Sequence, residues 1–277
     1  MLPTDGHVHS EWSWDAFSGD MEQTCAQAVA LGLPAIAFTE HVDHTKWTVD
    51  PGELDPFPTL KKHLDADDRV VPPRFDASGY LECLDRCRVR FPDLRIISGV
   101  ELGEPHRHRD QVAALLSVGE FERVLGSLHT IGWEDKASEP PFHFRRRPAV
   151  EVMRDYLAEL PRMFAEAPEF GVLAHVDYAV RYWPADAEPF DPYALQPEFR
   201  HVLRTLAASG RVLEVNTKGP MRPEIVRWWH EEGGEAVCFG SDAHEPTALA
   251  FRFAEAAAMV EAHGFRPGRH PYEFWVR

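Results

Sequence analysis

Histidine and carboxylate residues recur along the whole 277-residue chain in patterns suited to holding metal ions: His7-Val8-His9, Glu40-His41, Glu101, His129, His175 and Asp242-Ala243-His244. Imidazole and carboxylate together suit Zn, Mn or Fe. On an extended segment residues i and i+2 point the same way, so His7 and His9 can grip one ion, and Asp242 with His244 repeats the arrangement. A glutamate such as Glu101 can bridge two ions through its two oxygens. Two ions about 3.5–4 Å apart can hold a bridging hydroxide and stabilise both oxygens of an in-line displacement, which suits hydrolysis of a phosphate ester. A lone histidine is more often hydrogen-bonded or exposed than a ligand. Recurrence after strand upon strand argues instead for one multinuclear centre.

Several of these residues follow a short apolar run: 35–38 before Glu40, 94–100 before Glu101, 124–128 before His129, 172–174 before His175 and 237–240 before Asp242. Strands are expected over residues 2–9, 35–39, 94–101, 124–128, 172–175, 212–216 and 237–241. Helices are expected over 21–31, from Asp76 or Ser78 to about 91, and over 108–118, 149–167, 198–209, 223–232 and 246–263. A parallel barrel brings the C-terminal ends of its strands to one face, where the active site lies. Neither GxGxxG nor a P-loop occurs, which removes the usual signature of a nucleotide-binding sheet. Seven strand–helix units predict an α/β fold, a distorted (β/α)7 TIM-like barrel, as a single domain over 1–277. Long excursions near 44–75, 132–148 and 177–197 follow strand ends, where loops of such length are usually functional.

The set resembles the PHP family, named for polymerase and histidinol phosphatase, over nearly the whole chain. Its pattern is HxH, a ligand six residues on, His after strand two, Glu after strand three, two later His and a late DxH. Here these positions read His7, His9, Asp15, His41, Glu101, His129, His175, Asp242 and His244. The resemblance implies a trinuclear centre of divalent Zn, Mn or Fe. His7, His9, Glu101 and Asp242 would hold one ion. Glu101, His129 and His175 would hold a second, and Asp15, His41 and His244 the third. Asp15 stands where many relatives have His. His41, Glu101, Asp242 and His244 are the expected catalytic members.

Within the family the chain is most similar to the stand-alone histidinol-phosphate phosphatases, through the stretches His175-Val176-Asp177-Tyr178-Ala179-Val180-Arg181-Tyr182 and Glu214-Val215-Asn216-Thr217-Lys218-Gly219. This implies hydrolysis of L-histidinol phosphate to L-histidinol and phosphate in histidine biosynthesis, by attack of a metal-bridging hydroxide. Arg181 matches a phosphate contact of those relatives, and either Lys218 or Arg222 fills the second. Glu40 would orient His41 or meet a cationic group of the substrate. The acid that protonates the leaving group is unassigned, since His244 is first a ligand. Other readings are hydrolysis of another phosphate (a nucleotide or cyclic diester), amidohydrolase-type C–N hydrolysis, or a metal-bearing scaffold. The second lacks its bridging lysine near His129, and the third is expected to have lost ligands.

Forty-five acidic against 29 basic residues give a formal charge of −16, which argues against nucleic acid or an anionic membrane as partner. A small phosphorylated substrate would be drawn by the local metal charge instead. The four cysteines (Cys25, Cys83, Cys87 and Cys238) lack paired spacing and are expected as small buried hydrophobes. With no signal peptide or membrane-length apolar stretch, the cytoplasm is the expected location. Tyr272, Phe274 and Trp275 of the tail are expected to pack back on the barrel or form an interface.

Overall fold

Seven parallel strands follow one another in chain order around one sheet: β1 (Asp5–Val8), β2 (Ala35–Val42), β3 (Arg95–Gly103), β4 (Arg123–Ser127), β5 (Val172–Leu173), β6 (Val212–Asn216) and β7 (Ala236–Gly240). An eighth, β8 (Trp275–Val276), pairs antiparallel with the outer side of β7. The computed structural model describes residues 2–55, 57–134, 136–219 and 222–277. The sheet curls until the segment after β7 reaches β1. There Val8 bridges Ala243, the His9 N–H donates to Ala243 O at 2.8 Å and the Asp242 N–H donates to His7 O at 2.9 Å. Closure by this short seam, with an irregular register between β1 and β2, is the distortion expected of a seven-stranded barrel.

The strands read as apolar runs because both faces are covered, as parallel sheets require. Every residue of β2 except His41 is buried. Helices α1 (Met21–Leu31) and α2 (Ala77–Arg90) cover one side of the barrel, packing Met21, Cys25, Tyr80 and Leu84 against Phe38 and Ile96. Helix α3 (Arg109–Leu116) follows β3, and α4 (Ala149–Glu166), α5 (Gln196–Ala208), α6 (Pro223–Glu231) and α7 (Phe253–Ala262) complete the wall. The largest apolar cluster lies under α4 to α7, around Tyr156, Phe199, Trp228, Trp229 and Phe253. Local signals set the helix ends: Asp20 accepts from Gln23 N at the start of α1, and Gly32 ends it at φ 69°. Asp76 caps α2 through Gly79 N.

Two differences from expectation bear on the site. Only Phe253–Ala262 of the stretch 246–263 is α-helical, because Pro246–Ala248 makes a 3-10 turn and Ala250 and Arg252 adopt φ 53° and 54°. That detour carries the Ala250 N–H to Asp5 Oδ2 at 2.9 Å. β5 stops at Leu173, since the chain turns at His175, φ 23°.

The first two excursions are ordered by each other. Trp47–Thr48 pairs with Arg69–Val70 and Ile131–Trp133 with Lys136–Ser138, and a short helix Pro140–Phe144 follows. Trp47, Val49, Leu54, Val70 and Phe142 share a small core of their own. The tail returns to the barrel through two of its three aromatics: Trp275 is buried and Phe274 stacks on the Arg123 guanidinium at 4.4 Å, whereas Tyr272 stays exposed. All four cysteines are free and buried.

Candidate metal centre

The barrel brings all nine expected donors to the C-terminal ends of its strands. His7 and His9 leave β1 with Nε2 atoms 3.0 Å apart. Glu101, near the end of β3, lies between two groups. Its Oε2 is 3.2 Å from His7 Nε2, 3.5 Å from His9 Nε2 and 3.1 Å from His41 Nδ1. Its Oε1 is 3.2 Å from His129 Nε2 and 2.7 Å from His175 Nε2. Asp242 Oδ1 stands 3.5 Å from His9 Nε2. Asp15 Oδ2 joins His41 Nε2 at 3.5 Å and His244 Nε2 at 3.3 Å. Clusters His7–His9–Asp242, His7–Glu101–His175, His41–Glu101–His129 and His9–His41–His244 each place their donor atoms within 4.8 Å of one another.

Hydrogen bonds outside the set orient the rings. His7 Nδ1 meets Glu214 Oε1 at 2.6 Å, His129 Nδ1 meets Asp43 Oδ1 at 3.1 Å, and His9 Nδ1 meets Ser13 Oγ at 2.9 Å. Ser13 Oγ in turn donates to Glu40 Oε2 at 2.5 Å. With each Nδ1 carrying the donated proton, a neutral ring turns a bare Nε2 inward. Lone pairs of His7, His9 and Glu101 therefore converge in a fully buried space, an arrangement that a cation between them resolves. Asp15 Oδ1 is likewise buried without a hydrogen-bond partner. The donor set fits divalent metal.

In the metal-free centre the surrounding carboxylates outweigh burial and hold His7 and His129 well above the ordinary histidine range, so these two rings carry the positive charge that a bound cation would replace. Burial opposes the charge on Glu101, but His7, His41 and His129 outweigh it and hold the carboxyl well below its ordinary range. For Asp242 burial is likewise overcome by Lys218, Arg181 and His7. Burial lowers His9, with His41 and His244 adding to the effect, so that ring stays neutral as a ligand must. His175 falls to about 4 through burial, against the pull of Glu101. His175 and Asp242 also hold left-handed backbone, φ 23° and 52°, at the turns that aim them inward.

The remaining expected residues divide. Arg181 lines the cavity, with Nη1 2.7 Å from Asp242 Oδ2 and Nη2 donating to Asn216 Oδ1 at 2.8 Å. Lys218 also lines it, its Nζ 3.1 Å from Asp242 Oδ1 and 3.1 Å from His244 Nδ1. Arg222 does not line it and instead stacks over the Phe190 ring at 5.0 Å, so Lys218 is the second cation at the site. Glu40, expected against His41 or the substrate, is fully buried behind the donors. Its oxygens accept from Ser10 N, Ser10 Oγ and Ser13 Oγ, and it acts on His9 through Ser13. Burial pushes it to about 7 against those bonds.

Three functional positions were not assigned from sequence. Asp43 and Glu214 orient donor rings, and a glycine makes room for each: a Cβ at Gly103 or Gly240 would overlap Asp43 Oδ1 or Glu214 Oε1. Spacing held a clue, since Asp43 is i+2 from His41 on β2 or just past it, and Glu214 and Asn216 share a face of β6. Glu139 had no such signal. It lines the cavity beside Tyr178, whose hydroxyl is 3.5 Å from its Oε2, and burial pushes its carboxyl up to about 8.

A family model described as PHP domain matches residues 5–218. The chain belongs to the PHP family. Among curated relatives, a probable histidinol-phosphatase of Thermotoga maritima is 36% identical over 248 residues, 87% of this chain and 84% of that one. The histidinol-phosphatase of Lactococcus lactis is 23% identical over 96% of this chain and 93% of its own. A probable histidinol-phosphatase of Deinococcus radiodurans is 27% identical over 95% and 94%. The crystal structure of L. lactis histidinol phosphate phosphatase with Zn, L-histidinol and phosphate superposes with TM-score 0.79 at 20% identity, covering 99% of this chain and 98% of that one. A putative histidinol phosphatase of Listeria monocytogenes gives 0.70 at 15% identity over 91% and 99%. These structures bear on the fold alone, which each shares over more than nine-tenths of this chain.

Proposed function

We propose that this PHP protein is a metal-dependent phosphatase that hydrolyses L-histidinol phosphate to L-histidinol and phosphate. One observation carries the reading. Glu101 directs its two oxygens at two separate groups of histidines, on a floor where Arg181 and Lys218 add the only other cations near Asp242 among the described residues. Curated relatives that align over nearly the whole chain are named histidinol-phosphatase.

His7, His9, Glu101 and Asp242 would hold one ion, Glu101, His129 and His175 a second, and Asp15, His41 and His244 a third, drawn from Zn, Mn or Fe. Such ions supply activation of water and neutralisation of charge at phosphorus. The chain's own residues do the rest. Arg181, steadied by Asn216, presents a planar fork that binds two phosphate oxygens at once, whereas Lys218 offers a point charge. Both now lean on Asp242, and a phosphate entering the cavity competes for them.

The cavity of about 230 Å³ suits a small metabolite. Its outer wall carries Glu139, Tyr178, Tyr182, Trp47 and Phe57. Histidinol bears an imidazole and an ammonium group, which want aromatic and acidic partners, and this wall has both. A cytoplasmic setting completes the proposal, in keeping with four unpaired buried thiols. Among the described residues no helix is long and apolar enough to cross a membrane.

The test is phosphate release by metal-loaded protein from L-histidinol phosphate beside other monoesters, nucleotides and diesters, with metal content read on the same sample. A kcat/KM of about 10⁴ M⁻¹s⁻¹ or more for histidinol phosphate alone is expected, the normal range for a true substrate. Weak, indiscriminate turnover would sink the histidinol assignment and leave a PHP phosphoesterase.

A further inference from the structure

Behind the nine donors, four buried carboxylates outside the donor set accept backbone N–H groups at the turns that carry donors. Asp5 accepts from Ser241 N at 3.0 Å, just before Asp242, and Glu40 from Ser10 N at 3.0 Å, just after His9. Glu104 accepts from His129 N and Thr130 N, both at 2.7 Å. Glu214 accepts from His175 N at 2.6 Å.

Glu214 alone of these four also touches a donor ring, His7, through Oε1 at 2.6 Å. Its Oε2 further accepts from Asn216 Nδ2 at 3.2 Å. Asn216 then accepts from Arg181 and lies 3.5 Å from Asp242 Oδ2. A single side chain on β6 thus ties together a ring on β1, the strained turn after β5 and, through one amide, the arginine of the cavity floor. An isolated carboxylate with no exposed surface would be costly, and here each oxygen is spent on holding these parts in register.

We propose that Glu214 is a positioning residue that sets the metal affinity of the centre through His7 and His175, and the placement of Arg181 through Asn216. The second arm rests on the phosphatase reading and the first does not. A carboxylate on Nδ1 fixes the tautomer of His7 and makes its Nε2 a stronger donor, and the bond to the His175 N–H fixes the turn that aims the second ring.

The experiment compares wild type with Glu214→Gln, Glu214→Asp and Asn216→Ala, each stripped of metal and titrated with Zn²⁺ or Mn²⁺ against a chromogenic chelator. Glu214→Gln keeps the size and removes the charge, and a loss of roughly 10–100-fold in metal affinity is expected. Glu214→Asp keeps the charge but shortens the reach, so an affinity between the two is expected, and it replaces the Gln variant should that one not fold. Asn216→Ala removes the link to Arg181 but also one bond each from Glu214 and Asp242, so KM for histidinol phosphate should rise about tenfold, the equivalent of about 1.4 kcal/mol, while metal affinity falls less than in Glu214→Gln. Wild-type metal affinity in both Glu214 variants, with only the melting temperature lowered, would overturn the proposal. Failure of wild type to turn over histidinol phosphate would sink the function while leaving the metal titration to decide the first arm.

Discussion

The two walls of the cavity are built differently. On the inner wall His7, His9, Glu101, His175 and Asp242 project from strand ends and are all buried. Their places follow from the barrel's hydrogen-bonded register and from carboxylates packed behind them. On the outer wall Phe57, Glu139, Tyr178 and Tyr182 come from 3-10 turns and short excursions. Phe57 rests on a small core of five buried side chains, whereas Tyr178 and Tyr182 pack on the large cluster under α4 to α7. A rigid inner wall suits chemistry common to many phosphate esters, and an outer wall free of the register can be recut for one alcohol. Changes to the inner wall should therefore impair every substrate alike, and changes to the outer wall should impair one substrate selectively.

The largest effect is expected at Glu101. Glu101→Gln removes the oxygen pair shared by two histidine groups, and kcat should fall on the order of 10³-fold or more for every phosphate ester, since bound ions supply several kcal/mol at the transition state. Metal analysis of the purified variant should show lost ions. Full occupancy with full activity would break the comparison at its centre.

Arg181→Lys comes next. It keeps the charge but loses the bidentate fork and the bond to Asn216, so kcat/KM should fall about 10²-fold, again for all monoesters. Steady-state kinetics on three unrelated monoesters would check it, and a loss confined to histidinol phosphate would move Arg181 to the outer wall.

Glu139→Gln sharpens the contrast from the other side. A drop of about tenfold in kcat/KM is expected for histidinol phosphate, with less than about threefold for the phosphate monoester of an uncharged alkyl alcohol. Equal losses on both substrates would show that the wall does not select.

The smallest effect is one of stability in the metal-free protein. Burial raises the Glu139 carboxyl from 4.5 to about 8. A carboxyl raised by folding contributes its full stability below about 4.5, and that contribution is lost as pH rises through about 8. Glutamine stays neutral throughout. The melting temperature of Glu139→Gln, less that of wild type, should therefore grow between about pH 5 and pH 8 and level off above it in calorimetry. A constant difference over that range would mean that folding does not raise the Glu139 carboxyl.

Much of the inner wall was legible in the chain because metal donors must be His, Asp or Glu and must follow strands. That pair of constraints made His7, His9, His129 and Asp242 readable as a set. The orienting carboxylate Glu214 obeys only the first constraint. Glu214 is one charged residue inside a strand that otherwise reads Val212-Leu213-Val215-Asn216, and no spacing rule tells a ring-orienting glutamate from a misplaced surface one. Glu40 was visible beside His41, yet its side chain points to the opposite neighbour, Ser13, because successive strand residues face opposite ways. Arg222 and Lys218 were equal candidates along the chain, and their direction depends on the turn after β6.

By itself the sequence determined the alternation of strand and helix and the parallel barrel, and with the family resemblance it named nine candidate donors, because periodicity, caps and ligand chemistry are local. Only the tertiary structure decided which carboxylates stand behind which rings, that Lys218 and not Arg222 joins Arg181, and that Glu139 comes to face the cavity with Tyr178. Those pairings join residues more than twenty positions apart along the chain, as with His7 and Glu214, |i−j| of 207, and only the closed sheet sets the distance between them.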